Sequence, residues 1–175
     1  FVGSGWYEHK WNVPDEWQDK RVRVLFNAVY HDAYVWLNGK LIGEHLNSGY
    51  TPFELELTDA LILGQENTLI VKADNTYTDR MLPYKRSFDW ANDGGMIRGA
   101  KLEITGKHYI DSCNFISQPV ILEDGARQDN GCAIWGADIK IDGAIGERLE
   151  LQWELLEDSA AGGKICGGTE MIDSN

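Results

Sequence analysis

No stretch of this chain could cross a bilayer as a helix. The longest aliphatic run is the four residues 60–63, against the ~20 apolar residues a spanning helix needs. Only three cysteines are present, Cys113, Cys132 and Cys166. Three cannot all pair within one chain, and their spacing fits no zinc pattern. They read as small apolar residues or a surface thiol, with room for one disulfide. The four histidines, His9, His31, His45 and His108, are scattered. No His-Glu-x-x-His helix, Gly-x-Ser-x-Gly elbow or phosphate-binding Gly-Lys-Ser/Thr loop occurs. Neither a metal nor a nucleotide cofactor is therefore expected. Basic residues are also scarce, 16 Lys and Arg against 28 Asp and Glu. The resulting charge of −12 disfavours nucleic acid and anionic membranes as partners. The opening Phe1-Val2-Gly3 lacks an initiator Met and shows no leader, so the chain reads as a fragment of a longer protein.

Apolar residues are plentiful, 43% of the total, enough for a packed body rather than disorder. Their pattern is strand-like. Residues 21–29 alternate, with Val22, Val24 and Phe26 on one side and Arg21, Arg23 and Leu25 on the other. Residues 33–37 and 40–44 flank Asn38-Gly39, a strong hairpin signal because both turn positions need positive φ. Phe53, Leu55 and Leu57 alternate with Glu54 and Glu56. A short turn or one-turn helix is expected at 60–63 and further strands at 68–73 and 101–105. About seven short strands with turns every 8–12 residues point to an all-β sandwich or jelly roll. Residues 76–95 break the pattern. They form a long, polar and aromatic loop of the kind that often carries function.

A boundary is expected near Gly106-Lys107. Residues 1–107 carry 12 basic and 15 acidic side chains, whereas 108–175 carry 4 and 13 and hold all three cysteines. The second part reads as strands at 109–116, 132–141, 148–155 and 164–171. Four strands in 68 residues are few for a complete sandwich of ~100 residues, so this domain is expected to be truncated. Its exposed strand edges would favour self-association.

The seven tryptophans fit two roles: core filling, or stacking on the C–H faces of sugars. Trp36, inside a hairpin strand, reads as core, and Trp90, in the long loop, as core or site. The many carboxylates offer no singled-out pair of the ~5 Å spacing that a retaining glycosidase uses.

Several segments together resemble one family. Gly5-Trp6-Tyr7 followed by Val13-Pro14-Asp15-Glu16-Trp17 looks like the opening of the sugar-binding domain of family 2 glycoside hydrolases, the β-galactosidase and β-glucuronidase type. Val35-Trp36-Leu37-Asn38-Gly39 through Gly43-Glu44-His45 is similar to that family's hairpin. Gly49-Tyr50-Thr51-Pro52-Phe53, Val71-Lys72-Ala73-Asp74-Asn75 and Gly94-Gly95-Met96-Ile97-Arg98 follow in the family's order. The resemblance implies a galactose-binding-like jelly roll over 1–107. A partial immunoglobulin-like β-sandwich over 108–175 would follow it, and then a (β/α)8 barrel that this chain does not contain. It departs from the family in beginning almost on Gly-Trp-Tyr, and in having Gly99 where Asp or Pro often follows the signature arginine.

The family's two catalytic glutamates lie on the barrel, so the resemblance implies no catalytic residue here. It does imply a substrate contact. In family members an aspartate six residues before the second glycine of the signature reaches the barrel mouth, and that position here is Asp89. A carboxylate there can accept two sugar hydroxyls. Trp90 and Asn92 are weaker candidates for the same wall, and Arg98 reads as a structural anchor pairing with a carboxylate or carbonyls inside the sandwich. The expected function is a non-catalytic region of a retaining β-glycosidase that supports the barrel and meets a β-glycoside substrate. A free-standing carbohydrate-binding module, a purely structural domain and an enzyme in its own right remain alternatives. Sugar preference and compartment stay open.

Overall fold

The structure, a computed structural model, describes residues 1–81, 92–119, 133–143, 146, 148–158 and 162–173. Among the described residues the regular elements are strands and two single 3-10 turns. It divides into two compact units, Phe1–Gly106 and Lys107–Asn175.

The first unit is a two-layer sandwich. One layer has the order β1-β6-β3-β4, built from β1 (Ser4–Asn12), β3 (Asp32–Leu37), β4 (Lys40–His45) and β6 (Glu66–Asp74). The other has the order β5-β2-β7, built from β2 (Arg21–Tyr30), β5 (Phe53–Glu56) and β7 (Gly95–Thr105). Every ladder in both layers is antiparallel. Neighbours in the sheets are mostly distant in sequence, as crossing connections between two layers require. The 3-10 turns lie at Asp15–Trp17 and Thr58–Ala60, the latter slightly earlier than the apolar run at 60–63 suggests.

Strand parity builds the core. Val22, Val24 and Phe26 of β2 face Ala33, Val35 and Leu37 of β3 and Leu69, Val71 and Ala73 of β6. Burial of each large member contributes about 1.5–3 kcal/mol. Arg23, on the outward face of β2, is nonetheless only 8% exposed. As the central strand of its layer, β2 places Arg23 level with Glu54's strand on one side and Glu103 on the other. The guanidinium meets Glu54 at 2.7 Å and Glu103 at 3.4 Å.

Trp36 corrects the expectation of a core residue. Val35 and Leu37 take the inner side of β3 at 0% exposure, so Trp36 and Tyr34 must point outward. Trp36 stacks there against Trp6, ring centroids 5.5 Å apart. The Asn38-Gly39 turn has the positive φ values expected of it, 51° and 80°. Its Asn38 side chain reaches the fully buried Asn67, Nδ2 to Oδ1 at 2.7 Å. Asn67 in turn donates to the Ile62 carbonyl at 2.7 Å and accepts from the Ile62 N–H at 2.9 Å. One buried amide thereby ties the hairpin to the 62–67 turn.

The second unit contains two antiparallel pairs: β8 (Tyr109–Pro119) with β9 (Ala133–Asp142), and β10 (Arg148–Leu156) with β11 (Lys164–Asp173). Trp135 of β9 meets Trp153 of β10 edge-on at 5.1 Å, with Phe115 stacked on Trp135 at 5.7 Å. These rings bring the two pairs into contact. No described residue of this unit is fully buried. Among the described cysteines, Cys113 is exposed and Cys166 half-buried, and neither is paired; Cys132 lies outside the described residues.

Candidate functional site

The family-like segments, far apart in sequence, meet where the 76–95 connection leaves and rejoins the sandwich. Asn75, which follows directly on β6, is 3% exposed and holds this junction. Its Oδ1 accepts the Gly3 N–H at 2.8 Å, and its Nδ2 donates to the Phe1 carbonyl at 3.1 Å and the Asp93 carbonyl at 2.8 Å. Asn75 therefore draws the two ends of the connection together and fastens both to the N-terminal segment.

Gly94 and Gly95 make that closure sterically feasible. A Cβ at Gly94 would lie 2.6 Å from Asn75 Nδ2. Gly95 has φ of 84°, and a Cβ there would sit 1.9 Å from the Tyr7 hydroxyl. The paired glycines are a requirement of backbone conformation and close approach together. Tyr50 supports the same point from the other layer. Its hydroxyl donates to Asp93 Oδ2 at 2.9 Å, its ring packs 5.2 Å from Tyr30, and its carbonyl accepts from Arg98 Nη1 at 3.2 Å. Gly49 lets this segment lie against Tyr30, whose ring would be 2.1 Å from an added Cβ. Burial, then nearby Asp93 and Tyr77, push the Tyr30 phenol up from its ordinary value.

Of the residues expected to face substrate, Asn92 sits at this root. Its Nδ2 donates to the Asn75 carbonyl at 3.1 Å, and its Oδ1 is enclosed without a hydrogen-bond partner. Asp89 and Trp90 lie outside the described residues. Arg98, on β7, donates to the Tyr50 carbonyl at 3.2 Å, but its side chain is exposed rather than inside the sandwich. Sequence reasoning assigned no role to Asn75, Tyr50, Tyr30 or Tyr7, although three of the four stand within the quoted motifs. Only contacts across about 20 to 90 residues show what they touch.

A cavity of about 830 Å3 opens between β1 and β7, the facing edge strands of the two layers. Val24, Phe26, Leu69, Val71, Met96 and Leu102 line its depth. Glu8, His9, Arg98 and Lys101 also line it, so the opening is a gap between the layers with apolar and charged walls. Among the described residues no group of three His, Cys, Asp or Glu side chains could hold a metal ion.

Comparison with known proteins identifies the architecture. The family model described as "Glycosyl hydrolases family 2, sugar binding domain" matches residues 1–102, more than half of the chain. The chain belongs to glycoside hydrolase family 2. A β-glucuronidase of Paenibacillus borealis is 32% identical over 99% of the chain, and one of Bacteroides fragilis is 34% identical over 69%. Among solved structures, an uncultured Clostridium β-glucuronidase superposes over 98% of the chain with a TM-score of 0.74 at 27% identity. A family 2 member from Bacteroides cellulosilyticus, at 21% identity, shares the fold with a TM-score of 0.80 over the whole chain. The family 2 chain described here spans less than a third of each of these proteins: 30% and 17% of the two relatives, 29% and 22% of the two structures.

Proposed function

We propose that this chain is the sugar-recognition and scaffolding region of a retaining β-glycosidase. It supports a (β/α)8 barrel supplied by the rest of the protein and lends one wall to that barrel's substrate pocket. The 76–95 connection is the wall, with Asp89 accepting sugar hydroxyls and Trp90 and Asn92 beside it. The two domains are the jelly roll, 1–107, and a partial immunoglobulin-like β-sandwich, 108–175. The substrate is a β-glycoside, met jointly with the barrel, and the chain taken alone self-associates through its second domain.

The observation that carries this reading is the anchoring of the 76–95 connection. Asn75, at its start, and Tyr50 both bond Asp93 near its end, where Gly95 lies against Tyr7. A connection with its ends fixed to the sandwich can present a carboxylate to a neighbouring domain. Family membership and the partial span of the relatives supply the rest.

Two assays test the proposal. The purified chain should not hydrolyse aryl β-galactosides or β-glucuronides. In a barrel-containing family 2 enzyme carrying this chain as its N-terminal region, Asp89→Ala should lower kcat/KM by roughly 100-fold, the loss of charged hydrogen bonds to substrate. Turnover by the chain alone, or full kcat/KM in the variant, would overturn it.

A further inference from the structure

The Asn38-Gly39 turn between β3 and β4 is chemically reactive as well as structural. Asparagine is a thermolabile residue, and a following glycine, with no Cβ, leaves its backbone nitrogen open to the asparagine side chain. Spontaneous deamidation then requires only water. The Gly39 nitrogen attacks Asn38 Cγ, the new C–N bond closes a five-membered succinimide, and the Cγ–Nδ2 bond breaks. Nδ2 leaves as ammonia, carrying the proton that the Gly39 nitrogen gives up. Water then opens the ring at one of its two carbonyls, leaving aspartate or isoaspartate and one added negative charge.

The folded hairpin engages every group that this reaction must move. Asn38 Nδ2 donates to Asn67 Oδ1 at 2.7 Å and to the Ala60 carbonyl at 3.1 Å, which occupies both of its hydrogens. Asn38 Oδ1 accepts the Thr68 N–H at 2.9 Å, and the Asn38 N–H donates to the Thr68 carbonyl at 2.9 Å. The residue is clamped at side chain and backbone alike. Attack at Cγ makes a planar amide tetrahedral and draws it toward the next backbone nitrogen. The bonds to Asn67, Ala60 and Thr68 must therefore open first, which parts the hairpin tip from the start of β6.

The product does not fit the place its precursor leaves. A carboxylate at this position sets an anionic oxygen where Nδ2 donated, against two acceptors. Asn67 cannot turn its amide round to relieve the contact. Its Oδ1 also accepts the Ile62 N–H at 2.9 Å, and its Nδ2 donates to the Ile62 carbonyl at 2.7 Å and the Gln65 carbonyl at 3.0 Å. Asn67 is fully buried, where a mismatched polar group costs most. Isoaspartate instead adds a main-chain carbon to a two-residue turn whose length sets Leu37 opposite Lys40.

We propose that Asn38-Gly39 is a deamidation site that the fold holds shut: the reaction proceeds when the hairpin opens, and its product keeps the hairpin from closing as before. Each opening of the hairpin then carries a chance of an irreversible step, so the lifetime of the first unit is set by chemistry at this one turn as well as by its core. The site is built wholly within residues 38–68, does not depend on Asp89, and stands or falls separately from the function proposed above.

The test incubates the 175-residue chain at mildly alkaline pH, once folded and once in urea above its unfolding midpoint. Peptide mapping by mass spectrometry follows Asn38 separately from the chain's other Asn-Gly pair, Asn130-Gly131. Deamidation of Asn38 should be at least about tenfold slower in the folded chain. Equal rates in the two conditions overturn the proposal. Asn38→Asp, the stand-in for the product, should raise the unfolding equilibrium constant at least about tenfold over the parent. Asn38→Gly keeps the positive φ and removes the amide without adding charge, so it should be the less damaging of the two. An Asn38→Asp variant as stable as the parent, or no less stable than Asn38→Gly, overturns the proposal, because the carboxylate would then fit. Failure of Asn38→Asp to fold while Asn38→Gly folds supports it. If neither variant folds, the rate comparison on the unsubstituted chain decides by itself.

Discussion

At the scale of single residues, the root of the 76–95 connection depends on groups that have almost no substitutes. Gly95 combines a left-handed φ of 84° with a Tyr7 hydroxyl where a Cβ would go, so both conformation and space exclude a side chain. Gly95→Ala is expected to cost about 1–3 kcal/mol in urea unfolding. Gly99, four residues along the same strand, has open space around its Cα and no unusual φ, and Gly99→Ala is expected to stay within about 0.5 kcal/mol of the parent. Equal effects at the two sites would mean that the close approach at Tyr7 is unimportant. The glycine pair was visible in the sequence as a motif, but its reason was not. Tyr7 lies 88 positions away in the chain, and nothing local marks it as the obstacle.

At the scale of elements, β1 is an edge strand held to the sandwich on one side only, and its N-terminal end is pinned through Asp74 of β6. Burial alone would raise the Asp74 pKa. Hydrogen bonds from the Ser4 hydroxyl, at 2.5 Å, and from the hydroxyl and N–H of Thr76 outweigh it, aided by Lys72, and bring the carboxyl down to about 2. Its pKa in the folded chain is thus below its value in the unfolded chain. The stabilisation is complete above the unfolded value near pH 4 and is lost as pH falls through the folded value near 2. The loss should amount to about 2 kcal/mol. Urea midpoints at pH 5 and pH 2.5 should separate more for the parent than for Asp74→Asn. Equal separation would show that other carboxylates carry the acid sensitivity. The strands themselves were largely legible in sequence, because alternation is local. Strand β7 proved longer than the 101–105 run, beginning at Gly95, since Gly95, Arg98 and Ala100 gain their strand geometry from pairing with β2 rather than from any alternation of their own.

At the scale of the whole molecule, the two units differ in how completely they bury apolar surface. The first has a core at or near zero exposure. In the second, Ile134 is 70% exposed, and Ile110, Phe115 and Ile165 are each more than half exposed. Exposed apolar residues on open-edged strands favour association, against the repulsion of an acidic surface. The chain is expected to sediment as a concentration-dependent mixture heavier than monomer, shifting toward monomer in Ile134→Lys. A monomer throughout the micromolar range in sedimentation velocity would refute this. Higher ionic strength should strengthen the association, because salt screens the like charges while leaving apolar contact intact.

The sequence by itself determined the all-β class, the Asn38-Gly39 hairpin, the family and the position of the long connection. Each rests on a rule that acts within a few residues: period-two alternation, positive φ at a turn, or ordered short motifs. Tertiary structure alone decided which face of β3 is inside. Val35 and Leu37 on one side, Tyr34 and Trp36 on the other, are all apolar, so alternation is satisfied either way and only packing against the second layer breaks the tie. It also decided the burial of Arg23 between two glutamates and the joining of Asn75, Asp93, Tyr50 and Tyr7 at one root. These contacts are set by register between strands distant in sequence, and no local pattern encodes that register.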